Sequence, residues 1–474
     1  MSKKLTRREF LAASGMIAAA ALAGCAPIQA PQQAAPAAGT EEEKSEAAPA
    51  AATKTLTLSV WGAVQEDVLY TDVYIPNYQE QNPDVKIDFL SIPDFDDYYD
   101  KLIQLHAAGT PVEVQRHNVQ RLGQVVGKDM LVDMAALYER DNVDTKDFLQ
   151  GIMPAISREG GSKIYAIPQD ENLYGLLYNP DAFDEAGLAY PDDEYTFDQM
   201  LEDAQTLTKR DSSGNVTQFG FISWWNFWNL TGFILGYGGQ IWENLRTPEE
   251  KVVVNEAWYQ ALELWRKLML DFQLAPGQEQ VGNLGPNVFF EQKRAAMFVD
   301  GTWREPFVKK AAPDLNFACT SFPKGTVKKS RGSTVCWGVS TGAEDLELAW
   351  DLAKYLYTPE ALLAYWQILW VAPPARLSVV QSDGFKKITG LSSGGIDYPG
   401  LADTDEWEQK SRWIVTTLEN GWDTQEFTGD NYSILAREMD AAIEAVLVPN
   451  STVSVEEAID QAVANTNKEI ELNR

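Results

Sequence analysis

Thr55-Leu56-Thr57-Leu58-Ser59-Val60-Trp61-Gly62, followed by Val85-Lys86-Ile87-Asp88-Phe89-Leu90, decides the fold class of this chain. Both segments alternate between polar and apolar residues, which is the period of a strand with one face turned to a core, and the first stops at Gly62 as a strand does on entering a loop. Between them, Tyr70 to Gln81 reads as a helix ended by Asn82-Pro83. A second helix is predicted from Tyr98 to Ala108, closed by Gly109-Thr110-Pro111. Strand, helix, strand, helix in this order predicts βαβ units and a parallel sheet, hence an α/β fold.

Upstream of this stretch the chain reads as address and tether. Lys3, Lys4, Arg7 and Arg8 precede an uncharged apolar run from Phe10 to Ala23, the composition of an export signal over residues 1–24. The paired Arg7-Arg8 points to the twin-arginine route. The run is shorter than the about 20 residues a membrane-spanning helix needs. Leu22-Ala23-Gly24-Cys25 resembles the bacterial lipobox, which implies that the Cys25 thiol is acylated and becomes the new N-terminus. Residues 25–53 are rich in Ala, Pro, Gln and Glu, too poor in large apolar side chains to fold, and are expected to form a disordered, Pro-stiffened tether. The expected location is therefore extracytoplasmic, lipid-anchored, with the membrane touched only through the anchor.

At 474 residues, 45% hydrophobic and 23% charged, the remainder reads as a globular body of two or three domains. The leader's four cations against Glu9 take away a net +3 from the whole-chain −30, leaving a body near −33. Such a surface repels nucleic acid and anionic lipid, so neither is expected as a partner. Apart from Cys25 there are Cys319 and Cys336, compatible with a disulfide or with two free thiols. His106 and His117 are the only histidines, too few for a dense Cys/His metal cluster, and no metal or cofactor is expected.

Several motifs, in order, resemble one family. Asn82-Pro83-Asp84-Val85-Lys86-Ile87, Tyr98-Tyr99-Asp100-Lys101-Leu102 and Ala107-Ala108-Gly109-Thr110-Pro111 are similar to the first lobe of extracellular solute-binding proteins of ABC importers, of the family that takes sugars and related solutes. Lys163-Ile164-Tyr165-Ala166-Ile167-Pro168, Leu177-Tyr178-Asn179-Pro180-Asp181-Ala182-Phe183 and Ala186-Gly187-Leu188 resemble its hinge strand and following helix. Ala295-Ala296-Met297-Phe298-Val299-Asp300-Gly301-Thr302-Trp303, Pro373-Pro374-Ala375-Arg376 and Val455-Glu456-Glu457-Ala458-Ile459 agree with its later parts. One departure stands out: after Gly-Thr the family has Pro-Asp and an apolar strand, whereas here Pro111-Val112-Glu113-Val114 runs into polar Gln115-Arg116-His117-Asn118, a loop whose share of the pocket wall is left unassigned. The resemblance implies a two-lobe, type II periplasmic-binding-protein-like fold with a hinge. Lobe 1 is expected at residues 54–167 plus 338–371, and lobe 2 at 168–337 plus 372–474. It also implies a monomeric receptor that delivers its ligand to ABC permease subunits and carries no catalytic residue.

Tryptophan is the informative residue type: of 15, several sit beside Gly, Asn or Asp instead of inside apolar runs. An aromatic face packs on the C–H face of a sugar while amides and carboxylates bond its hydroxyls. Trp61 ends a strand, and Trp224, Trp225 and Trp228 accompany Asn226 and Asn229. Trp225 and Trp228 are candidate ligand residues, with core packing the alternative. Trp258, Trp265, Trp350 and Trp366 lie on helical patterns and are read as core. Trp303 follows a predicted strand and an Asp300-Gly301 turn, at the end of an α/β strand where ligands bind; by resemblance it is the stacking aromatic. Arg304 is read as bonding ligand hydroxyls or pairing with Glu305. Asp170 and Asn172, two residues apart after Pro168, share a side if extended and are candidates for the cleft. Gln65, Trp337 and Tyr432 are candidates by resemblance, and Arg121 is read chiefly as a solvated helix face.

Enzymatic readings fare worse. Gly390-Leu391-Ser392-Ser393-Gly394 satisfies the nucleophile-elbow pattern, but lacks a buried strand before it and a downstream His, so a surface loop is expected. No second acidic residue is placed by spacing opposite Asp170 and Glu171 for a glycosidase pair. No phosphate-binding Gly-rich Lys motif is present. The function expected is capture of a sugar or oligosaccharide between two lobes. The alternatives are another solute such as a polyol phosphate or polyamine, a secreted glycoside hydrolase, or a purely structural surface lipoprotein.

Overall fold

The structure, a computed structural model, describes residues 54–62, 66–149, 151–282, 284–386, 391–393, 396–398, 412–418, 423–425 and 428–474. The leader, Cys25, the tether and Gln65 lie outside the described residues. Strands of the main sheet are numbered here in chain order. β1 (Lys54–Trp61) and β2 (Val85–Ile92) pair in parallel from Lys54↔Val85 to Trp61↔Ile92. Leu56, Leu58 and Val60 are buried, as the alternation predicts. The connection is helical from Leu69 to Gln81 and buries Leu69, Tyr70, Val73, Tyr74 and Tyr78, an apolar face that covers the strands.

β3 (Val114–Asn118) pairs in parallel with β1 and corrects the expectation of a polar loop. Gln115, Arg116 and His117 are buried and Asn118 partly so, and hydrogen bonds offset part of the cost. Gln115 Nε2 donates 2.7 Å to Val112 O, the His117 ring nitrogen Nε2 lies 3.1 Å from Gln115 Oε1, and Asn118 caps the following helix by accepting from Gln120 N at 2.9 Å. Polarity alone therefore did not exclude a central strand.

The remaining strands are β4 (Ile167–Tyr178), β5 (Lys209–Arg210), β6 (Val216–Ile222), β7 (Ala295–Gly301), β8 (Ala318–Ser321), β9 (Lys329–Val339) and β10 (Asp423–Gln425). The sheet runs β2-β1-β3-β9-β4-β7-β6-β5, with β8 also on β4 and β10 on β9. β4 is buried along all twelve residues and changes core partway. Ile167 and Leu173 belong to a first apolar core with Leu58, Val114, Trp337, Trp350 and Trp366; Tyr174 and Leu176 belong to a second with Phe227, Trp258 and Trp265. β9 does the same: Cys336 to Val339 sit in the first core, while Arg331 lies against Tyr174 and Trp228 of the second. Two long antiparallel strands thus carry the chain between two cores. The helix Pro359–Leu369 and residues Ala372, Ala375, Phe385, Trp413 and Ile414 pack with the first core. The helices Tyr432–Leu447 and Val455–Leu472 pack with the second.

Cys319 and Cys336, on β8 and β9, are not joined to each other by a disulfide. Leu391–Ser393 forms a short strand antiparallel to Ile396–Tyr398, so this part of the nucleophile-elbow pattern is a hairpin strand and not a loop; Gly390 and Gly394 lie outside the described residues.

Candidate functional site

Three neighbouring strands supply the floor of a cavity of about 310 Å³. Because side chains two apart on a strand share a face, Arg116 and Asn118 on β3, Ser333 and Val335 on β9, and Asp170 and Asn172 on β4 all line it. Register fixes the rows: Asn118 pairs with Val335, which pairs with Asp170, and Ser333 pairs with Asn172. Asn118 Nδ2 donates to Ser333 Oγ at 3.2 Å, and Asn172 Nδ2 donates to Ser333 O at 3.1 Å and Asp170 Oδ1 at 2.8 Å. The register slips at Val335/Cys336. Pro168 has no N–H to give the ladder there, and next to the slip the Asp170 side chain accepts from Val335 N at 3.2 Å.

Asp170 is fully buried and also accepts from the Tyr365 hydroxyl at 2.7 Å. Burial pushes its carboxyl up to about 7, against the opposing pull of the Arg116 guanidinium and of those hydrogen bonds. Glu171, one residue on, faces the other way, and Thr334 Oγ1 donates 2.5 Å to its Oε2.

Aromatic rings form the walls. On the first-core side Trp61 ends β1 and packs edge-on to Phe95 at 5.5 Å between ring centres. Opposite stand Trp228 and Trp303, packed against the second core, and Phe307, which is 37% exposed. Trp303 directly precedes the helix Arg304–Ala311 and meets Tyr174 edge-on at 5.1 Å. Trp228 Nε1 donates to Tyr174 Oη at 2.8 Å. The Arg331 guanidinium lies against both of these rings, 3.4 Å from the centre of Tyr174 and 3.8 Å from that of Trp228.

Of the residues singled out in the sequence, Trp61, Asp170, Asn172, Trp228 and Trp303 come together here. Trp225, Arg304, Trp337, Tyr432 and Arg121 do not line this cavity. Trp225 packs edge-on to Trp265 at 5.0 Å and donates to Pro276 O at 3.0 Å. Arg304 Nε donates to Asp300 Oδ2 at 2.7 Å, so its partner is Asp300 and not Glu305, which accepts from Trp413 Nε1 at 3.2 Å. Trp337, opposite Arg116 in register, is completely buried with Tyr70 edge-on to it at 6.1 Å. Tyr432 stacks on Phe227 and meets Trp228 edge-on at 5.8 Å, backing the wall. Arg121 pairs with Asp96 beside Phe95. Trp258, Trp265, Trp350 and Trp366 are fully buried, as their helical spacing predicts.

The sequence reading missed Glu66, Arg116, Asn118, Ser333 and Tyr365. Arg116 and Asn118 carry a legible signal, alternate positions of a strand that ends at a helix cap, which was hidden by reading the segment as a loop. Tyr365 is brought in by the tertiary fold from a helix nearly 200 residues after Asp170 (|i−j| = 195). A larger groove of about 780 Å³, lined by Tyr178, Tyr190, Phe317, Trp370 and Trp413 among others, contains none of the predicted residues.

Known proteins share this fold. A multiple sugar-binding protein of Streptococcus mutans is 23% identical over 223 residues, covering 44% of this chain and 50% of that protein, so the chain spans about half the length of this curated relative. An ABC substrate-binding protein from Listeria monocytogenes in complex with cycloalternan superposes with a TM-score of 0.70 at 19% identity, over 88% of this chain and 99% of that one. The maltose/maltodextrin-binding domain MalE from Bdellovibrio bacteriovorus bound to maltotriose gives 0.67 at 13% identity, over 88% and 100%. These likenesses identify the architecture as the two-lobe binding-protein fold. The family described as bacterial extracellular solute-binding protein matches residues 61–362, and the chain belongs to that family of non-catalytic transporter components.

Proposed function

We propose that this protein is the sugar-binding receptor of an ABC importer, holding an uncharged sugar or oligosaccharide in the cavity between Trp61 and the Trp228–Trp303 wall. The observation that carries this reading is the pairing of aromatic walls with a floor of amides, hydroxyls and one buried carboxylate. Rings take the apolar faces of a sugar and the floor takes its hydroxyls. The walls belong to different cores joined by β4 and β9, so a ligand touching both favours a closed arrangement of the lobes. We assign β1 to β3, the start of β4 and the first-core helix Pro359–Leu369 to lobe 1, and the second-core elements to lobe 2. The names of structural relatives, which include a cycloalternan complex and a maltotriose complex, support an oligosaccharide.

A polyamine would meet the Arg116 guanidinium in this cavity, and a polyol phosphate would meet the Glu66 and Asp170 carboxylates, so the lining favours neither rival solute. A glycosidase reading gains Glu66 as a second carboxylate but loses Asp170, whose two oxygens are already bonded by Tyr365, Asn172 and Val335. The delivery partner is an ABC permease in the membrane, and Cys25 with residues 26–53 is the lipid anchor and tether that keeps the receptor near it. Isothermal titration against glucose, maltose, maltotriose, cellobiose and mannotriose tests the assignment. Saturable binding of at least one is expected, and absence of heat with all five overturns it. Cys25→Ser should release the protein from the cell without changing affinity, and retention on the membrane overturns the anchor.

A further inference from the structure

Glu66 and Arg116 form a cavity-lining pair that the sequence reading did not single out. We propose that they read two adjacent hydroxyls of the sugar ring resting on Trp61, an assignment that rests on the sugar reading above. Arg116 is 3% exposed and its guanidinium is fixed along one edge. Nη1 donates to Trp61 O at 2.9 Å and to Glu66 Oε2 at 3.3 Å, and the guanidinium carbon lies 4.7 Å from the centre of the Trp61 ring. Nε is buried and meets no acceptor among the described residues. A guanidinium carries five N–H donors in a rigid plane; the bonds to Trp61 O and Glu66 Oε2 use only part of them, and because Arg116 lines the cavity a further donor of that plane is set to meet an oxygen from the ligand.

Glu66 is the complement. The bond from Arg116 uses one of the about four acceptor positions of its carboxylate. The pair therefore offers an N–H donor and a carboxylate acceptor side by side, both charge-assisted. Vicinal hydroxyls leave a sugar ring edge side by side, and each is donor and acceptor at once: one accepts from Arg116 while its neighbour donates to Glu66. The bond from Arg116 to the Trp61 carbonyl ties this reading pair to the ring that holds the sugar face. The pair has no net charge, which suits an uncharged ligand. Lysine in place of Arg116 would keep the charge and lose the planar fork.

The test is a cycle of variants against ligands. The tightest binder among glucose, maltose, maltotriose, cellobiose and mannotriose is titrated beside its monodeoxy analogues, with the unmutated protein, Arg116→Lys and Glu66→Gln, each first shown to be folded by circular dichroism and thermal melting. Each variant should lose about tenfold in affinity for the parent sugar. Each loss should vanish for a single analogue, and the two analogues should lack neighbouring hydroxyls. Equal losses against every analogue mean a structural ion pair and overturn the assignment alone, as do coupled positions that are not adjacent. Failure of the unmutated protein to bind any of the five overturns the sugar reading and this assignment with it.

Discussion

The buried carboxylate of Asp170 receives the Tyr365 hydroxyl at 2.7 Å, while two strands away, on β3, the His117 ring is equally buried with Gln115 Oε1 3.1 Å from its Nε2. Burial pushes Asp170 up to about 7 from 3.8 and His117 down to about 3 from 6.5. The signs are opposite. Folded Asp170 holds a proton that the unfolded chain has lost, so its contribution to stability falls as pH rises from about 4 to 7. Folded His117 refuses a proton that the unfolded chain takes, so its contribution rises from about pH 3 to 6.5. Each slope is limited to one proton, about 1.4 kcal/mol per pH unit. Across pH 4 to 6.5 they oppose one another and the unmutated protein should show little net slope from this pair. Asp170→Asn should unmask a rising curve and His117→Gln a falling one in urea midpoints taken at pH 4, 5 and 6. Parallel curves for the two variants would show that these groups do not titrate as their burial requires.

Trp303 owes its place to the absence of a side chain at Gly301: a Cβ there would overlap the Trp303 ring. Gly301→Ala should push the half-buried ring toward the cavity, because the strand behind it is packed on both sides. The expected result is a loss of sugar affinity of about 10- to 100-fold, about 1.4–2.8 kcal/mol, with a shift in melting temperature of a few degrees at most. Trp303→Ala should lose a similar amount, and the double variant little more than either single one, since both changes remove the same contact. Additive losses in titration calorimetry would separate Gly301 from the ring.

Arg331 sets its guanidinium against the rings of both Tyr174 and Trp228. A guanidinium stacks on aromatic faces and an ammonium does not. Arg331→Lys is therefore expected to cost about 1–2 kcal/mol of stability, and to weaken sugar binding by severalfold through loss of order at Trp228. A variant as stable as the parent by urea unfolding would mean that these contacts contribute only shape.

The residues show where sequence reasoning works and where it stops. The βαβ start was legible because Leu56, Leu58 and Val60 alternate and because Asn82-Pro83 ends the helix, both local signals. Trp303 and the Asp170/Asn172 spacing were legible for the same reason: the position at a strand end and the period of two survive without tertiary knowledge. Arg116 was lost because a run of Gln, Arg, His and Asn imitates a loop, and only the partners supplied by Val112, Trp61, Glu66 and Gln120 make it a buried strand. Trp225 and Trp228, three residues apart on one motif, diverge because the chain turns into a helix between them, at Asn226. Trp225 faces Trp265 and Trp228 faces the cavity. Asp300 claims Arg304 in the same way, by the turn geometry of one helix start.

A last contact ties the two cores together. Arg158, which follows the helix Ile152–Ile156 in the first core, pairs with Asp430, just before the helix Tyr432–Leu447 in the second, at 2.6 Å. The arginine side chain is 7% exposed and the aspartate 35%. Removing the partner of a buried charge costs more than removing the buried charge itself, because the first leaves an unpaired ion away from water. Asp430→Ala should therefore destabilise the protein by about 1–3 kcal/mol, the lower part of the range reflecting water's access to Asp430. Arg158→Met, which keeps the packing volume, should cost less than about 1 kcal/mol. Because the arginine is shielded, raising salt to 1 M should leave the difference between the two variants largely intact. Equal losses in urea denaturation, or a difference abolished by salt, would mean that the bridge is solvated and that the cores are held together by β4 and β9 without it.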